Sequence, residues 1–499
     1  MVMYAVATFP AAWGWAIFVV TGIFMFLVSW IVYKKFQLDS DSFFVASRGV
    51  PWPLIASTIA ATELWTGTIL ASAEGVFRWG IGGIWMYAIP TGVSFSIFSI
   101  IAHRTRYLTP NGLTLGSWVK KRYGKSTHII FCLVALYIMF VFTMFQVIGG
   151  ASLFSSLFGM SYTSAAIVIG AVFVGYYLLA GMWTTLITSF IQYFIIVLIV
   201  LILVPWAWMS LGGTGAIFSM LTAEVERLRE PNLLNLFRVD GIVQYFLMTL
   251  GGWGVIATMS NYAWQRAYSV EEKGVTKAML FGGWCWFPIA AVSGTIGMLG
   301  IAMGMTGHLA VGTDVFPAVI GQLLPPGAAL YLAVALLFAV YSSGTAYLGG
   351  FTSLLASDFY EQYTGKKMSI NAIRLLSVAM GLFVIIIVVA LQRVSLLNFM
   401  LSTGVFIPAP FFAIVFGLYW KKTTCSAANV ATVSTLGIAL WIMFLSDLPN
   451  WLAYVVSYAL SLTLCVIISL FKPNNYDFEK LRAENLKDMQ DRAAKLQVS

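Results

Sequence analysis

Two polar clusters interrupt stretches of this 499-residue sequence that are otherwise almost wholly apolar. The first, "AATELWTGT" from Ala60 to Thr68, carries a carboxylate, Glu63. An acidic residue at the centre of a membrane helix costs roughly 2.5–3.5 kcal/mol, so Glu63 needs a compensating role. An ionised carboxylate only accepts hydrogen bonds. It suits N–H donors on a bound solute, or backbone N–H groups freed where a helix breaks. It could equally cap a half-helix or pair with a buried polar neighbour. The second cluster lies in "LLFAVYSSGTAYLGG". Ala339, Ser342 and Ser343 stand at i, i+3 and i+4, so one helix face offers a backbone carbonyl and two hydroxyls. An oxygen-only set of this kind suits a hard monovalent cation. Serines in membrane helices also bond back to their own preceding turn or pack helices together, and the pattern alone leaves both open.

These residues need apolar elements to hold them. Hydrophobic residues make up 60% of the chain and charged residues only 9%, where a soluble domain carries about 25% charged. Apolar runs long enough for a bilayer core of ~30 Å recur throughout. The expected fold is an all-α integral membrane protein with about 13 spans: 13–33, 52–76, 81–103, 127–157, 161–180, 185–210, 239–261, 278–304, 330–357, 371–391, 395–419, 424–446 and 450–471. The N-terminal run ends at Lys34-Lys35, as a stop-transfer flank rather than a cleaved signal. With the N-terminus outside, only Arg78, Arg227, Arg229, Arg238 and Arg393 of the 28 basic residues fall outside, and the other 23 fall in the cytoplasm. That asymmetry favours an outside N-terminus, a cytoplasmic C-terminus and an odd span count. It also accounts for the net charge of +9 without a nucleic-acid partner.

Spans 52–76 and 239–261 are expected to be broken, the first around Thr62–Thr68 and the second at Gly251-Gly252-Trp253-Gly254. Each opens a set of five spans, and five is odd, so the sets run oppositely through the membrane. Interrupted helices at matching positions of inverted halves mark a transporter's central site. Glu74, near the end of its span, is expected to pair with Arg78. Cys132, Cys285, Cys425 and Cys465 stand singly and read as small packing residues. His103, His128 and His308 are scattered in or near loops. The insert at about 210–239 is external, and the charged tail after Pro473 reads as a solvated cytoplasmic helix.

Four further stretches, in order, carry a resemblance. "ASRGVPWPLIASTIAAT" leads into the first break. "AGMWTTLITSFIQ" holds Gly181, Met182, Thr188 and Gln192. Gln265-Arg266 follows the second break, and "YSSGTAYLGGFTSLLASDFYEQY" ends in Asp-x-Tyr. Over residues 40–420 the chain resembles the sodium/solute symporter family, with its leucine-transporter-type, five-plus-five inverted repeat and broken core helices 1 and 6. Motifs such as "YAWQRA" and "GGWCWF" are most similar to its urea-transporter-like branch. The resemblance implies a sodium site built from the carbonyls of Ala61, Leu64 and Ala339 and the hydroxyls of Ser342 and Ser343. Many members carry an aspartate for a second cation where this chain has Ser189, which implies one sodium per cycle.

The domain division expected is a transmembrane unit, 1–472, and a cytoplasmic tail, 473–499. The unit comprises an extra helix (13–33), core repeats at 52–210 and 239–419, and extra helices over 424–471. The expected function is sodium-coupled symport of a small polar solute, urea or a related amide or amine, across the plasma (inner) membrane. The solute would meet Glu63, Trp65, Thr66 and Gly67 from the first break, Gln146 from the fourth span, and Gly252 and Trp253 from the second break. Trp253 stands thirteen residues before Arg266, where the family places a substrate-facing residue. Sodium is the only ion expected and no organic cofactor is. Proton coupling, passive facilitation, or a sensor acting with a separate signalling partner are the alternatives. No nucleophile–base constellation points to an enzyme, and no feature specifies an oligomeric state.

Overall fold

The computed structural model describes residues 9–36, 39–46, 48–309, 311–391 and 394–498. Arg393, counted above among the outward basic residues, lies outside them. The described chain is built almost entirely of helices: α1 (Ala11–Lys35), α2 (Trp52–Glu63), α3 (Gly67–Trp79), α4 (Gly83–Leu108), the short α5 (Gly116–Tyr123), α6 (Lys125–Phe158), α7 (Tyr162–Ser210), α8 (Val239–Met259), α9 (Glu272–Ala302), α10 (Pro326–Thr364), α11 (Ile370–Leu391), α12 (Leu396–Phe406), α13 (Phe411–Tyr419), α14 (Cys425–Leu445), α15 (Asn450–Phe471) and α16 (Phe478–Val498).

Among the described residues ten helices are long and apolar enough to cross a membrane, or up to twelve if α2 with α3 and α12 with α13 each count as one bent span. The remaining difference from thirteen lies in α7. Its 49 residues would run about 73 Å as one rod, more than twice a ~30 Å hydrocarbon core. It is not one rod. Ala180 (φ −138°, ψ 15°) and Gly181 (φ 54°, ψ −124°) leave helical geometry and fold it into two arms, matching the expected spans 161–180 and 185–210. Gly181 must be glycine twice over: its φ is positive, and a Cβ there would lie 2.5 Å from the Phe43 carbonyl oxygen.

The first break falls where expected. α2 and α3 meet at 60° across Leu64–Thr66. Leu64 turns out of the helix at ψ 49°, and the Thr68 hydroxyl donates to the Glu63 carbonyl that has lost its helical N–H. The second break is displaced. Gly251, Gly252 and Trp253 stay helical, and the chain departs at Gly254–Val255 and again at Ser260 before resuming at Asn261–Ser269. Gly251 and Gly252 are glycines for packing, since Cβ atoms there would come 2.8 and 3.2 Å from the Tyr454 side chain. A third break, 45° between α12 and α13, was not expected. Pro408 and Pro410 lie in that junction, and proline removes the donor a continuing helix needs.

α10 lies at the centre, packed on α6 and α7 and mostly buried, whereas α1 packs on α7 and exposes most of its surface, as a lipid-facing helix does. The segment after α7 forms a helix, Gly213–Leu228, and then closes over the start of α4, with Ile81 N–H donating to Leu233 O (2.9 Å) and Trp85 Nε1 to Leu236 O (2.8 Å). The tail does not stand free in solvent. α16 buries Phe478, Leu481 and Asn485; Lys121 Nζ donates to Asn485 Oδ1 (2.6 Å), and Arg482 Nη1 to the Tyr107 hydroxyl (2.6 Å). An amphipathic face, hidden in the sequence by its charges, docks the tail onto the basic end of α4 and α5.

Candidate functional site

The break between α2 and α3 leaves carbonyls at the end of α2 without successive N–H donors. Their replacements come partly from α10. Ser343 Oγ donates to the Thr62 carbonyl at 2.7 Å, joining residues 281 apart in sequence. Ser342 Oγ, one position earlier, pairs with Ser189 Oγ of α7 at 2.8 Å. Among the described residues neither hydroxyl bonds back to its own helix; each reaches a neighbouring one. Ala61, Leu64, Ala339, Ser342 and Ser343 are all fully buried. A hydroxyl that donates one hydrogen bond keeps lone pairs for a cation, so these bonds leave both serines able to ligate. Ser189, where many family members have aspartate, thus touches a serine of this same set.

Glu63 is buried at the same break, and its Oε1 accepts a hydrogen bond from the Tyr262 hydroxyl beyond the second break. Arg266, one turn on and fully buried, sits 5.1 Å from the Tyr262 ring centroid. It donates to the Thr58 (3.3 Å) and Thr62 (3.1 Å) hydroxyls of α2; among the described residues it forms no direct ion pair with Glu63. Sequence reasoning missed Tyr262, although it lies in the quoted "YAWQRA". Around the carboxylate lies a set of aromatic rings. Tyr262 meets Tyr347 edge-on at 5.3 Å, Tyr347 meets Phe142 at 5.1 Å, and Phe142 stacks on Trp253 at 6.0 Å.

The other expected solute contacts are spread around this centre. The Trp65 ring lies across Gly67, where a Cβ would come 2.2 Å from it, and tilts against Phe145 at 5.3 Å. The Thr66 hydroxyl donates to the Phe145 carbonyl (3.2 Å) and lies 3.4 Å from Gln146 Oε1, so the structure does bring Thr66 and Gln146 together. Trp253 also packs on Gly404, where a Cβ would come 2.4 Å from its ring. Gly252 faces Tyr454 and Gly404 of the later helices, which accounts for it by packing.

Two cavities approach from opposite ends without being lined by Glu63, Ser342 or Ser343. One of about 760 Å³ is bounded by Glu74, Arg78, Glu230 and Arg238; the other, about 310 Å³, by Ser117, Lys121, Asp358 and Glu361. Glu74 does not make the expected ion pair with Arg78. Its carboxylate accepts from Thr313 Oγ1 (2.7 Å) and Ser395 Oγ (2.6 Å), while Arg78 Nη1 donates to Asn398 Oδ1 (2.9 Å). It therefore ties the second half of α3 to the start of α12.

A model described as the sodium:solute symporter family matches residues 43–434, most of the chain. The chain belongs to the sodium:solute symporter family. Among its relatives, the urea-proton symporter DUR3 of Oryza sativa subsp. japonica is 26% identical over 445 residues, covering 82% of this chain and 61% of that protein. The chain thus spans about three fifths of the rice protein's length. The urea active transporter of Saccharomyces cerevisiae is 24% identical, covering 90% and 67%; the osmoregulated proline transporter OpuE of Bacillus subtilis is 25% identical, covering 84% and 87%. A solved Na+-coupled sialic acid symporter, substrate-bound and outward-open, superposes with a TM-score of 0.78 at 15% identity, covering 93% of this chain and 99% of that one. The fold of this family member is accordingly of the leucine-transporter type, with the broken helices at its centre.

Proposed function

We propose that this protein is a secondary active symporter that couples the entry of one sodium ion to that of a small, hydrogen-bond-donating solute, urea or a related amide or amine. Sodium is held by the carbonyls of Ala61, Leu64 and Ala339 and the hydroxyls of Ser342 and Ser343. The observation that carries this is the 2.7 Å bond from Ser343 to the Thr62 carbonyl, which brings one expected hydroxyl of the second repeat to the broken turn of the first, where Ala61 and Leu64 flank Thr62 in the sequence. The solute binds beside Glu63, against the surrounding rings, with Trp65, Thr66, Gly67, Gln146 and Trp253 in reach of it. A carboxylate favours N–H donors and disfavours a solute carboxylate. The urea transporters among the relatives support the solute class. The N-terminus is outside the plasma (inner) membrane and the tail in the cytoplasm, on the charge asymmetry.

A second reading is favoured by one finding. The rice relative is a urea-proton symporter, and Glu63 is a buried carboxyl group that could itself carry the coupling proton. Uptake into proteoliposomes separates the two. Labelled urea, short amides, amines and proline are offered under a sodium gradient, under a pH gradient, and under neither. Accumulation driven by sodium at equal pH supports the first reading; accumulation driven only by the pH gradient replaces it with the second; equilibration without either gradient refutes both.

A further inference from the structure

The solute and sodium sites leave unused a second buried polar cluster, toward the C-terminal end of α10. His128 and Cys132 stand at i and i+4 on α6, so they share a face. Asp358, in the widened turn of α10, meets them there. The three residues offer a nitrogen, a sulfur and a carboxylate oxygen within 4.8 Å of one another. All three are buried. His128 Nε2 is 3.1 Å from Asp358 Oδ1, and His128 Nδ1 is 3.1 Å from the Tyr363 hydroxyl. The other carboxylate oxygen, Asp358 Oδ2, is buried and has no hydrogen-bond partner among the described residues. Gly116, opening α5, leaves the space beside them: a Cβ there would come 2.0 Å from Asp358 Oδ1 and 2.8 Å from His128 Nε2. The sequence expectations that the cysteines only pack, and that the histidines are scattered in or near loops, both miss this. The third partner is 230 residues away from the histidine.

We propose that His128, Cys132 and Asp358 form a binding site for a divalent transition-metal ion of the zinc type. A sulfur, an imidazole and a carboxylate together suit zinc and exclude magnesium and calcium, which take oxygen. Zinc bonds of about 2.0–2.3 Å in a tetrahedron need ligand atoms roughly 3.3–3.8 Å apart, which small rotamer shifts reach from the present arrangement. The Tyr363 hydroxyl, 3.1 Å from Nδ1, can accept its N–H and so leave Nε2 to face the ion, the role an outer acceptor plays for a metal-bound histidine. A thiolate and a carboxylate balance the charge of the ion, so the loaded site is neutral, as a buried site needs to be. Binding releases the Cys132 thiol proton. The 310 Å³ cavity is lined by Asp358, and the ion would enter, the proton leave and a water join as fourth ligand from that side. The ion joins α6 to α10 directly.

The test uses the full-length protein, purified in detergent without a polyhistidine tag, stripped with chelator and reloaded with zinc or cobalt. One zinc per chain by elemental analysis is expected. Cobalt should give a near-ultraviolet thiolate-to-metal band, and Cys132→Ser should abolish that band and weaken metal binding at least tenfold. Zinc should also raise the thermal stability of the wild-type protein and leave that of Cys132→Ser unchanged, a readout that needs no reagent to reach the buried thiol. Folded wild-type protein that takes up no stoichiometric metal, or whose thermal stability zinc leaves unchanged, overturns the proposal. An unchanged cobalt spectrum in Cys132→Ser does so too.

Discussion

Replacing Ser342 and Ser343 together by alanine tests the sodium site most directly. Each hydroxyl makes one buried hydrogen bond, Ser342 to Ser189 at 2.8 Å and Ser343 to the Thr62 carbonyl at 2.7 Å. A contact between a polar group and a charged one contributes about 1.5–3 kcal/mol, so losing two ligands costs sodium binding roughly 3–6 kcal/mol. At 1.4 kcal/mol per tenfold, affinity should fall by roughly 10²–10⁴. The fold also pays, since each buried partner left without a hydrogen bond costs about 1–3 kcal/mol. Alanine retains helix propensity, so α10 itself should form. A control separates the two effects: Ser189→Ala with Ser342→Ala removes both members of one pair and leaves no orphan there, so its stability should stay closer to wild type than that of Ser342→Ala. Binding of radioactive sodium to purified protein, with thermal stability measured on the same preparation, gives affinity without needing the solute. A folded double variant that binds sodium as tightly as wild type would refute the site.

Ser189→Ala alone keeps every proposed ligand but removes the bond that orients Ser342, so sodium affinity in the same binding assay should fall only about 2–10-fold, the worth of one neutral hydrogen bond. Glu63→Gln, similar in size, should lower solute uptake per folded molecule at least tenfold while the protein still reaches the membrane; normal specific uptake would remove Glu63 from the solute site. Phe478→Ala with Leu481→Ala should release α16 from α4 and α5, seen as faster proteolysis after residue 473 at unchanged stability of the membrane region; an equally resistant tail would mean that the polar contacts of Asn485 and Arg482 suffice. A C-terminal tag should be inaccessible to impermeant reagents in intact cells, and an accessible one would overturn the orientation.

The first break was legible because its residues violate the membrane's rules in sequence: a glutamate and three threonines stand in a row of apolar positions. The second break was legible only in outline. Glycines suggested unwinding at Gly251–Gly254, but a glycine serves close packing as readily as it serves a turn, and only Tyr454, two hundred residues on, tells which. Pro408 and Pro410 mark the bend between α12 and α13, yet the stretch around them is long enough to span, and prolines also occur in membrane helices that stay continuous. The oxygen set around Ser342 and Ser343 is visible as spacing, yet the Ser189 contact is not, since it joins different helices. The same holds for Tyr262 on Glu63 and for Asp358 on His128. Periodicity shows which face a residue is on; it does not show what that face meets.

On the proposed function, the hydrogen bond between Tyr262 and Glu63 gives the carboxylate at the first break a reason to stay. It joins the first repeat to the second across both interruptions, while Arg266 holds α2 through Thr58 and Thr62. The carboxylate has more acceptor sites than one tyrosine fills. A solute carrying several N–H groups can take the rest, or displace the tyrosine, at little loss of hydrogen bonding to Glu63. Sodium at the Ala61 and Leu64 carbonyls would place a positive charge beside the same turn, where it attracts carboxylate oxygens. Ion and solute then support one another through a residue that the solute binds and the ion only neighbours, and a coupling of this kind is reciprocal: whatever factor sodium adds to solute affinity, the solute must add to sodium affinity. The tyrosine makes that coupling sensitive to the relation between the two repeats, because its oxygen reaches Glu63 only while the half-helices on either side keep their present arrangement. Rocking one repeat against the other would exchange this bond for solvent or solute, so on this reading the pairing between Tyr262 and the Glu63 carboxyl group is one that alternating access must break and remake in every cycle.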